Sequence, residues 1–399
     1  MVRFVLSADW HLGAGFPGRQ NADELRRLRL QTARNVLAIA QNKSADFAIV
    51  AGDLFDSNRV GRGLMYEARE ILRTSSMPVY ILPGNHDSLE EDSVYRVRAE
   101  MNDLPGHVRV LTEQTPVTLS GVTLYPCPCF GKVSSQDPTS WIPARSTEDG
   151  IRIGIAHGSW KVMPDLPEDD HPIPKDAALL RGLDVLCLGH WHSLFPRDVS
   201  SGSERTFYPG TPEQLSYAEK GAGNVLLVTI ESVGALPRVE PIRSGKMRFL
   251  QHSIELRGQD AVHEVRHTLE QIDEPDSCLV RLVLTGVLNP VASGRLQQTL
   301  AELEPRFFGF EIDSSHLLSL PDELSHEVLD SRLMKQVASR LAEYARSENL
   351  TPPSESSFGA RLPEELAGGE TLCNAGSRAL ELLFGQVRLG VRNRVGDNK

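Results

Sequence analysis

Five short motifs along the first half of the chain carry metal-type and proton-exchanging side chains. They are Asp9-Trp10-His11, Gly52-Asp53-Leu54-Phe55-Asp56, Gly84-Asn85-His86-Asp87, His157-Gly158 and Gly189-His190-Trp191-His192. Each has an ordinary explanation on its own, since a single Asp or His after a strand commonly caps a turn or completes a hydrogen bond. Among them two Asp, one Asn and four His supply a mixture of hard oxygen and imidazole donors that suits manganese, iron or zinc. A carboxylate has two oxygens and can bridge two cations, so a dinuclear metal centre is the expected use. Two cations about 3.5–4 Å apart clamp the attacking and leaving oxygens of a phosphoester and acidify water. The departing alkoxide needs a proton, and imidazole exchanges one near neutral pH.

The motifs need elements that bring them together. Phe4-Val5-Leu6, Phe47 to Ala51, Val79 to Leu82, Ile151 to Ala156 and Val185 to Leu188 read as strands, and each motif follows one of them. Ligands collect outside the carboxyl ends of strands in α/β sheets, so these loops are expected to converge. Gly52, Gly84 and Gly189 allow the backbone to turn sharply there. Leu25, Leu28, Thr32, Val36 and Ile39 recur at three- and four-residue steps, and Leu64 to Leu72 repeats that period, which predicts two helices. Val108–Leu111, Val117–Leu119, Val122–Tyr125, Leu194–Asp198, Thr206–Tyr208 and Asn224–Ile230 are closely spaced strand candidates. The expected fold is α/β (α+β), a two-sheet β sandwich flanked by helices.

Three regions are expected: residues 1–232, an α+β domain over 247–318, and a helical region over 319–399 with a linker at 351–369. Glu231 to Lys246, with its Pro, Gly and Ser, reads as the first connector. The α+β pattern runs Arg248–Glu255 (strand), Ala261–Ile272 (helix), Cys278–Thr285 (strand), Ser293–Leu303 (helix) and Phe307–Ile312 (strand). Ser325–Ala345 and Ala375–Gly385 read as helices. With 40% hydrophobic and 24% charged residues, the chain is expected to fold around a core rather than remain disordered. It has no 18-residue apolar run for a membrane helix, and Met1–Ala8 is too short for a secretory leader, so a cytoplasmic location is expected. Cys127, Cys129, Cys187, Cys278 and Cys373 are scattered and odd in number, which excludes a disulfide framework. Cys127-Pro128-Cys129 lacks a second pair at zinc spacing and reads as part of a strand. A net charge of −11 opposes any polyanionic substrate, so metal ions, a local basic patch or a partner must offset it.

In order and spacing, Asp-x-His, Gly-Asp-x-x-Asp, Gly-Asn-His-Asp, a lone His and Gly-His-x-His resemble the calcineurin-like metallophosphoesterases over Asp9 to His192. Val79 to Asp87 and the turn Tyr208-Pro209-Gly210-Thr211-Pro212-Glu213-Gln214-Leu215-Ser216 narrow the likeness to SbcD/YhaO-like DNA repair exonucleases, over residues 1–230. The resemblance implies a first metal on Asp9, His11, Asp53 and His192, and a second on Asp53, Asn85, His157 and His190. Asp53 would bridge, and Asn85, a neutral oxygen, would leave the second metal more positive. His86 would stay off the metals as general acid or transition-state stabiliser. The implied cofactors are two divalent ions, manganese first, with Mg2+, Fe2+ and Zn2+ as alternatives. The implied activity is a DNA exonuclease in DNA repair, with endonuclease action also open. Family members work as homodimers with an SbcC-type coiled-coil ABC ATPase, which implies the same partners here. That ATPase is expected to dock on the helices beyond residue 325, with 247–318 as the family's capping domain.

Arg59 and Arg62, directly after Asp56, are the candidate phosphate contacts, while Arg26, Arg27 and Arg29 are expected on the solvated face of the first helix. The loop after His157 carries Asp165, Glu168, Asp169 and Asp170, so it is expected either to turn away from the centre or to confine it to a small substrate. His107, His171, His252, His263, His267, His316 and His326 read as surface or packing residues. Two other functions fit the same motifs. One is a phosphodiesterase or phosphatase acting on a small phosphoester, which the expected capping domain argues against. The other is a mainly architectural subunit of an ATPase complex, which the complete ligand set argues against.

Overall fold

Phe47-Ala48-Ile49-Val50-Ala51 is apolar at every position, as a strand covered on both faces must be. The structure, a computed structural model, describes residues 1–19, 21–97, 103–162, 170–199, 202–256, 261–288 and 290–319. The chain divides into two compact units, Met1–Phe249 and a second that begins at Leu250.

The first unit holds two sheets. One comprises β1 (Val2–Ser7), β2 (Phe47–Ala51), β3 (Val79–Leu82), β4 (Val108–Val110), β10 (Asn224–Ile230) and β11 (Arg238–Arg243), in the order β11-β10-β1-β2-β3-β4. β1 to β4 run parallel, and β10 and β11 close the far edge antiparallel. The other has the order of the chain: β5 (Val117–Leu119), β6 (Val122–Cys127), β7 (Ile151–His157), β8 (Val185–Gly189) and β9 (Thr206–Phe207). Phe4, Leu6, Phe47 and Ile49 of the first sheet pack in one core with Leu124, Ile153, Ile155 and Phe207 of the second. Helices α1 (Ala22–Asn42) and α2 (Arg62–Arg73) cover the outer face of the first sheet through Val36, Leu37, Met65 and Ile71. Its described residues also include two short helices, α3 (Val94–Val97) and α4 (Ala177–Leu180). This is the mixed α/β sandwich with flanking helices that the pattern predicts.

Three readings need correction. Arg29 lies four residues after Leu25, hence on the inward face of α1 with Thr32 and Val36, and it is buried while Arg26 and Arg27 are exposed. Its guanidinium donates to the carbonyls of Trp10 and Glu213, the latter at 3.1 Å. Burial draws its pKa down to about 10, against the pull of Glu213. Leu194–Asp198 forms no strand, only a single bridge between Phe195 and Tyr208, since Pro196 has no N–H to continue a ladder. Residues 238–243, expected within a connector, form the edge strand β11, and the first unit continues to Phe249.

The strand β12 (Arg248–Leu256) starts on the last two residues of the first unit and continues into the second, which also contains α5 (Ala261–Glu270), β13 (Cys278–Leu288), α6 (Pro290–Leu303) and β14 (Gly309–Ser319). The three strands form one sheet, β13 and β14 being parallel, around Leu256, Val265, Leu269, Leu282 and Leu296. The expected helices at Ser325–Ala345 and Ala375–Gly385, the linker between them and Cys373 lie outside the described residues. Among the described residues, Cys127, Cys129, Cys187 and Cys278 are buried free thiols, and no helix is long and apolar enough to cross a membrane.

In the first unit, Arg29 is a buried cation between α1 and the loops that carry Trp10 and Glu213. Its replacement by Ala removes the charge facing Glu213 and frees two carbonyls. Arg29→Ala is expected to lose about 3–5 kcal/mol of stability in urea unfolding, and an unchanged midpoint would refute that role.

Candidate metal centre

The loops beyond β1 and β2 remain paired after the strands end. The N–H groups of Asp9, His11 and Leu12 donate to the carbonyls of Gly52 (3.1 Å), Asp53 (2.9 Å) and Leu54 (2.9 Å). To make these turns, Asp9, His11, Asp53 and His190 adopt positive φ angles of 54°, 42°, 52° and 103°. Such backbone costs of the order of 1–3 kcal/mol per residue and collects at functional sites. Gly84 is needed for a different reason: a Cβ there would lie 2.1 Å from Asp53 Oδ1.

The side chains converge on the shared carboxyl end of both sheets. Asp53 Oδ2 lies 3.6 Å from His11 Nε2 and 3.3 Å from His157 Nε2. Asn85 Oδ1 lies 2.8 Å from His157 Nε2 and 3.2 Å from His190 Nδ1. The Nε2 atoms of His11 and His192 approach to 3.0 Å. The second oxygens of the carboxylates have separate tasks. Asp53 Oδ1 accepts the N–H of His86 (2.9 Å), and Asp9 Oδ1 accepts the N–H of His190 (2.9 Å). All seven residues expected as ligands are thus brought together.

Around them stands a layer of acceptors. His11 Nδ1 faces Asp56 Oδ1 at 3.1 Å, His192 Nδ1 faces Glu219 Oε1 at 2.8 Å, and His190 Nε2 faces Asp170 Oδ2 at 2.8 Å. His157 Nδ1 donates to the Ala51 carbonyl at 3.0 Å. Each partner takes the N–H of the outer ring nitrogen and turns the other nitrogen inward, as partners of metal-binding histidines do. Asp87 is buried and organises the third loop, accepting from the N–H of Gly84 (2.7 Å), the N–H of Phe55 (3.0 Å) and the Tyr95 hydroxyl (2.6 Å).

Electrostatics tie these groups. Burial works against the His157 imidazolium, but Asp53 and Asp9 more than offset it and push its pKa up to about 9. Burial likewise opposes the Asp53 carboxylate, yet His157 and His11 hold it far below the usual carboxylate range. Burial lowers the pKa of His11, against the pull of Asp56 and Asp53. Burial and then Asp53 raise Asp87 to about 6. The hydrogen bond from His190 holds Asp170 at about 2.

These residues fit divalent cations. Among the described residues, Asp9 Oδ2 is buried without a hydrogen-bond partner. His11 and His192 aim two ring nitrogens at each other, where only one can carry a proton. Three overlapping sets each bring their ligand atoms within 4.8 Å of one another: Asp9, His11 and His192; His11, Asp53 and His86; and Asp9, Asp53 and His157.

His86 is exposed, with Nδ1 donating to the Asp56 carbonyl at 2.9 Å. Arg59 and Arg62 are exposed beside the second loop. Asp170 does not turn away from the centre; its carboxylate is bound to His190 and to the Ser159 hydroxyl. Residues 163–169, with Asp165, Glu168 and Asp169, lie outside the described residues. Cys127 and Cys129 are buried strand and turn residues, with the Cys127 thiol pushed up to about 12 by burial. Glu219 escaped the sequence reading. Its signal is its place three residues after the Tyr208–Ser216 turn, whose Leu215 N–H it accepts at 2.6 Å.

A family model described as calcineurin-like phosphoesterase matches residues 2–194. The chain is similar to the uncharacterized metallophosphoesterase YhaO of Bacillus subtilis (strain 168), 25% identical over 246 residues, 57% of each chain. It is 28% identical over 137 residues to the SbcD component of the nuclease SbcCD of Staphylococcus epidermidis, 33% of this chain and 35% of that one. It is also 25% identical over 234 residues to the DNA double-strand break repair protein Mre11 of Methanopyrus kandleri, 55% of this chain and 50% of that one. The alignments thus span between 35% and 57% of the length of these relatives.

Two measurements follow from this geometry. Glu219→Ala and Asp170→Ala are each expected to weaken manganese binding about 10- to 100-fold in calorimetric titration, with the fold intact by circular dichroism. Wild-type affinity in both would show that the outer carboxylates do not orient the histidines. Gly84→Ala, whose Cβ collides with Asp53, is expected to retain less than one metal per chain after desalting, on the order of a hundredfold affinity loss.

Proposed function

Since residues 2–194 form a calcineurin-like phosphoesterase domain, we propose that the chain hydrolyses phosphodiester bonds in DNA with two divalent metal ions, manganese foremost. Asp9, His11, Asp53 and His192 would hold one ion, and Asp53, Asn85, His157 and His190 would hold the other. The observation that carries this reading is the convergence of four imidazoles, two buried carboxylates and one amide oxygen, with an exposed imidazole at their edge. When bound, the ions supply Lewis-acid polarisation of the phosphoester and neutralise charge as it builds on the phosphoryl oxygens.

The chain's own residues do the rest. Asp53 lies between the two sets with Oδ2 facing both His11 and His157, which suits a bridging carboxylate. His86 has its ring fixed by the bond from Nδ1 to the Asp56 carbonyl, which leaves Nε2 as the nitrogen available for proton transfer. From there Nε2 donates a proton to the leaving oxygen. Arg59 and Arg62 follow Asp56 by three and six residues, and their exposed guanidinium groups contact phosphates flanking the scissile bond. The names of two relatives, a nuclease component and a DNA double-strand break repair protein, support DNA as the substrate. On that basis the chain works as a homodimer with an SbcC-type ATPase, in the cytoplasm.

A small phosphoester is the second reading, favoured by the net charge of −11 and by Asp170 at the centre. Metal-stripped protein incubated with end-labelled single- and double-stranded DNA, with manganese, magnesium or zinc restored, separates the two. Metal-dependent degradation is expected, slowed by about 10²- to 10⁴-fold in His86→Ala. Intact DNA beside His86-dependent hydrolysis of a chromogenic phosphodiester would sink the DNA reading in favour of the small substrate.

A further inference from the structure

Of the four tryptophans, Trp10 and Trp160 are buried and Trp141 is half-buried, whereas Trp191 is 40% exposed. The indole N–H groups of Trp10 and Trp160 donate to Ser7 Oγ (2.8 Å) and the Lys175 carbonyl (3.0 Å). Among the described residues, the Trp191 ring has no stacking, cation–π or hydrogen-bond partner. It nevertheless stands on one of the most constrained stretches of backbone in the chain. On one side His190 is held at a φ of 103° by its N–H bond to Asp9. On the other, the His192 carbonyl accepts the Thr211 N–H at 3.0 Å, and a Cβ on Gly210 would lie 2.7 Å from that oxygen. Both neighbours are fixed by their side chains too, through Asp170 and Glu219. The loop therefore presents a large apolar ring to solvent on a rigid mount at the centre's edge.

A second exposed aromatic has a similar mount. Phe130 is 49% exposed and follows Cys129, whose N–H donates to the Pro83 carbonyl (3.1 Å) and whose thiol meets the His157 carbonyl (3.5 Å). It thus adjoins the loop that carries Asn85 and His86.

We propose that Trp191 is a stacking platform for an unpaired nucleobase next to the scissile phosphodiester, which makes single-stranded or frayed ends the preferred substrate class. The inference rests on the phosphodiesterase reading above. A fixed indole loses little conformational entropy on binding, and every base has a π face to lay on it. The net charge of −11 favours this type of contact, because the general field of the chain offers a polyanion little attraction. Stacking supplies affinity without requiring positive charge.

The test uses the full chain loaded with manganese and phosphorothioate-protected oligonucleotides that resist cleavage. Fluorescence anisotropy compares oligothymidylate with an abasic strand of equal length, for wild type, Trp191→Ala and Trp191→Phe, with metal content measured in parallel. Trp191→Ala is expected to bind oligothymidylate about 5- to 150-fold more weakly, to bind the abasic strand as wild type does, and to keep its metal. Trp191→Phe is expected to recover most of the loss. Equal binding of oligothymidylate by wild type and Trp191→Ala would overturn the stacking role and leave the phosphodiesterase reading standing. Loss of metal from Trp191→Ala would also overturn it, making the indole a prop for the centre. Failure of the wild type to bind either strand would overturn both the DNA reading and the platform.

Discussion

Asp9 and Asp53 are carboxylates held out of solvent where the two sheets end, and the loops of the first unit are arranged around the cost of keeping them charged. An unpaired buried carboxylate costs several kcal/mol. Protein groups meet only part of that cost. His157 and His11 hold Asp53 in its ionised form, yet Asp9 Oδ2 still faces no donor among the described residues. Asp87, another buried carboxylate of these loops, is harder to keep charged. Burial and Asp53 raise it to about 6 even though three donors satisfy it. Divalent cations held by these residues would complete the compensation.

The same constraint accounts for the scaffold. Four of the seven converging residues hold left-handed backbone, a strain that a flexible loop would release. Here the strain is overdetermined. The β1 and β2 loops are zipped by three backbone bonds, the third loop is knotted around Asp87, and the His190 loop is pinned to Asp9. Beneath them lies the inter-sheet core of Phe4, Ile49, Ile153 and Phe207, close-packed and unable to follow a relaxing loop. A sandwich suits this purpose because it delivers ligands from two sheets to one edge. Asp9, Asp53 and Asn85 come from one sheet, and His157 and His190 from the other.

The parts legible in the sequence were those encoded locally. β2 and β3 match their apolar runs residue for residue, because strand burial is written as consecutive hydrophobicity. The ligand motifs were readable because each follows such a run directly. What escaped depends on the third dimension. Arg29 carries a charge that argues for solvent, while its position four residues after Leu25 argues for the core, and only the waiting carbonyls of Trp10 and Glu213 decide the matter. Pro196 breaks a segment whose hydrophobicity reads as a strand. Glu219 and Asp170 belong to no chemical motif, since an outer partner needs only to arrive at a ring nitrogen and can do so from any loop.

Those outer partners bear on how a chain of net charge −11 can admit a phosphodiester at all. Acidic residues near the centre would repel it if they presented free carboxylates. Asp56, Asp170 and Glu219 do not: each is bound to an imidazole whose inner nitrogen faces a ligand position. With Asp9 and Asp53 they make five carboxylates, so two divalent ions would leave the centre close to neutral. Their negative charge strengthens the histidines as donors to a cation. The acidity of the site is therefore directed to the groups that would hold metal. On the reading proposed here, the surface left for the substrate would be the exposed imidazole of His86, the two arginines after Asp56 and the uncovered aromatic rings.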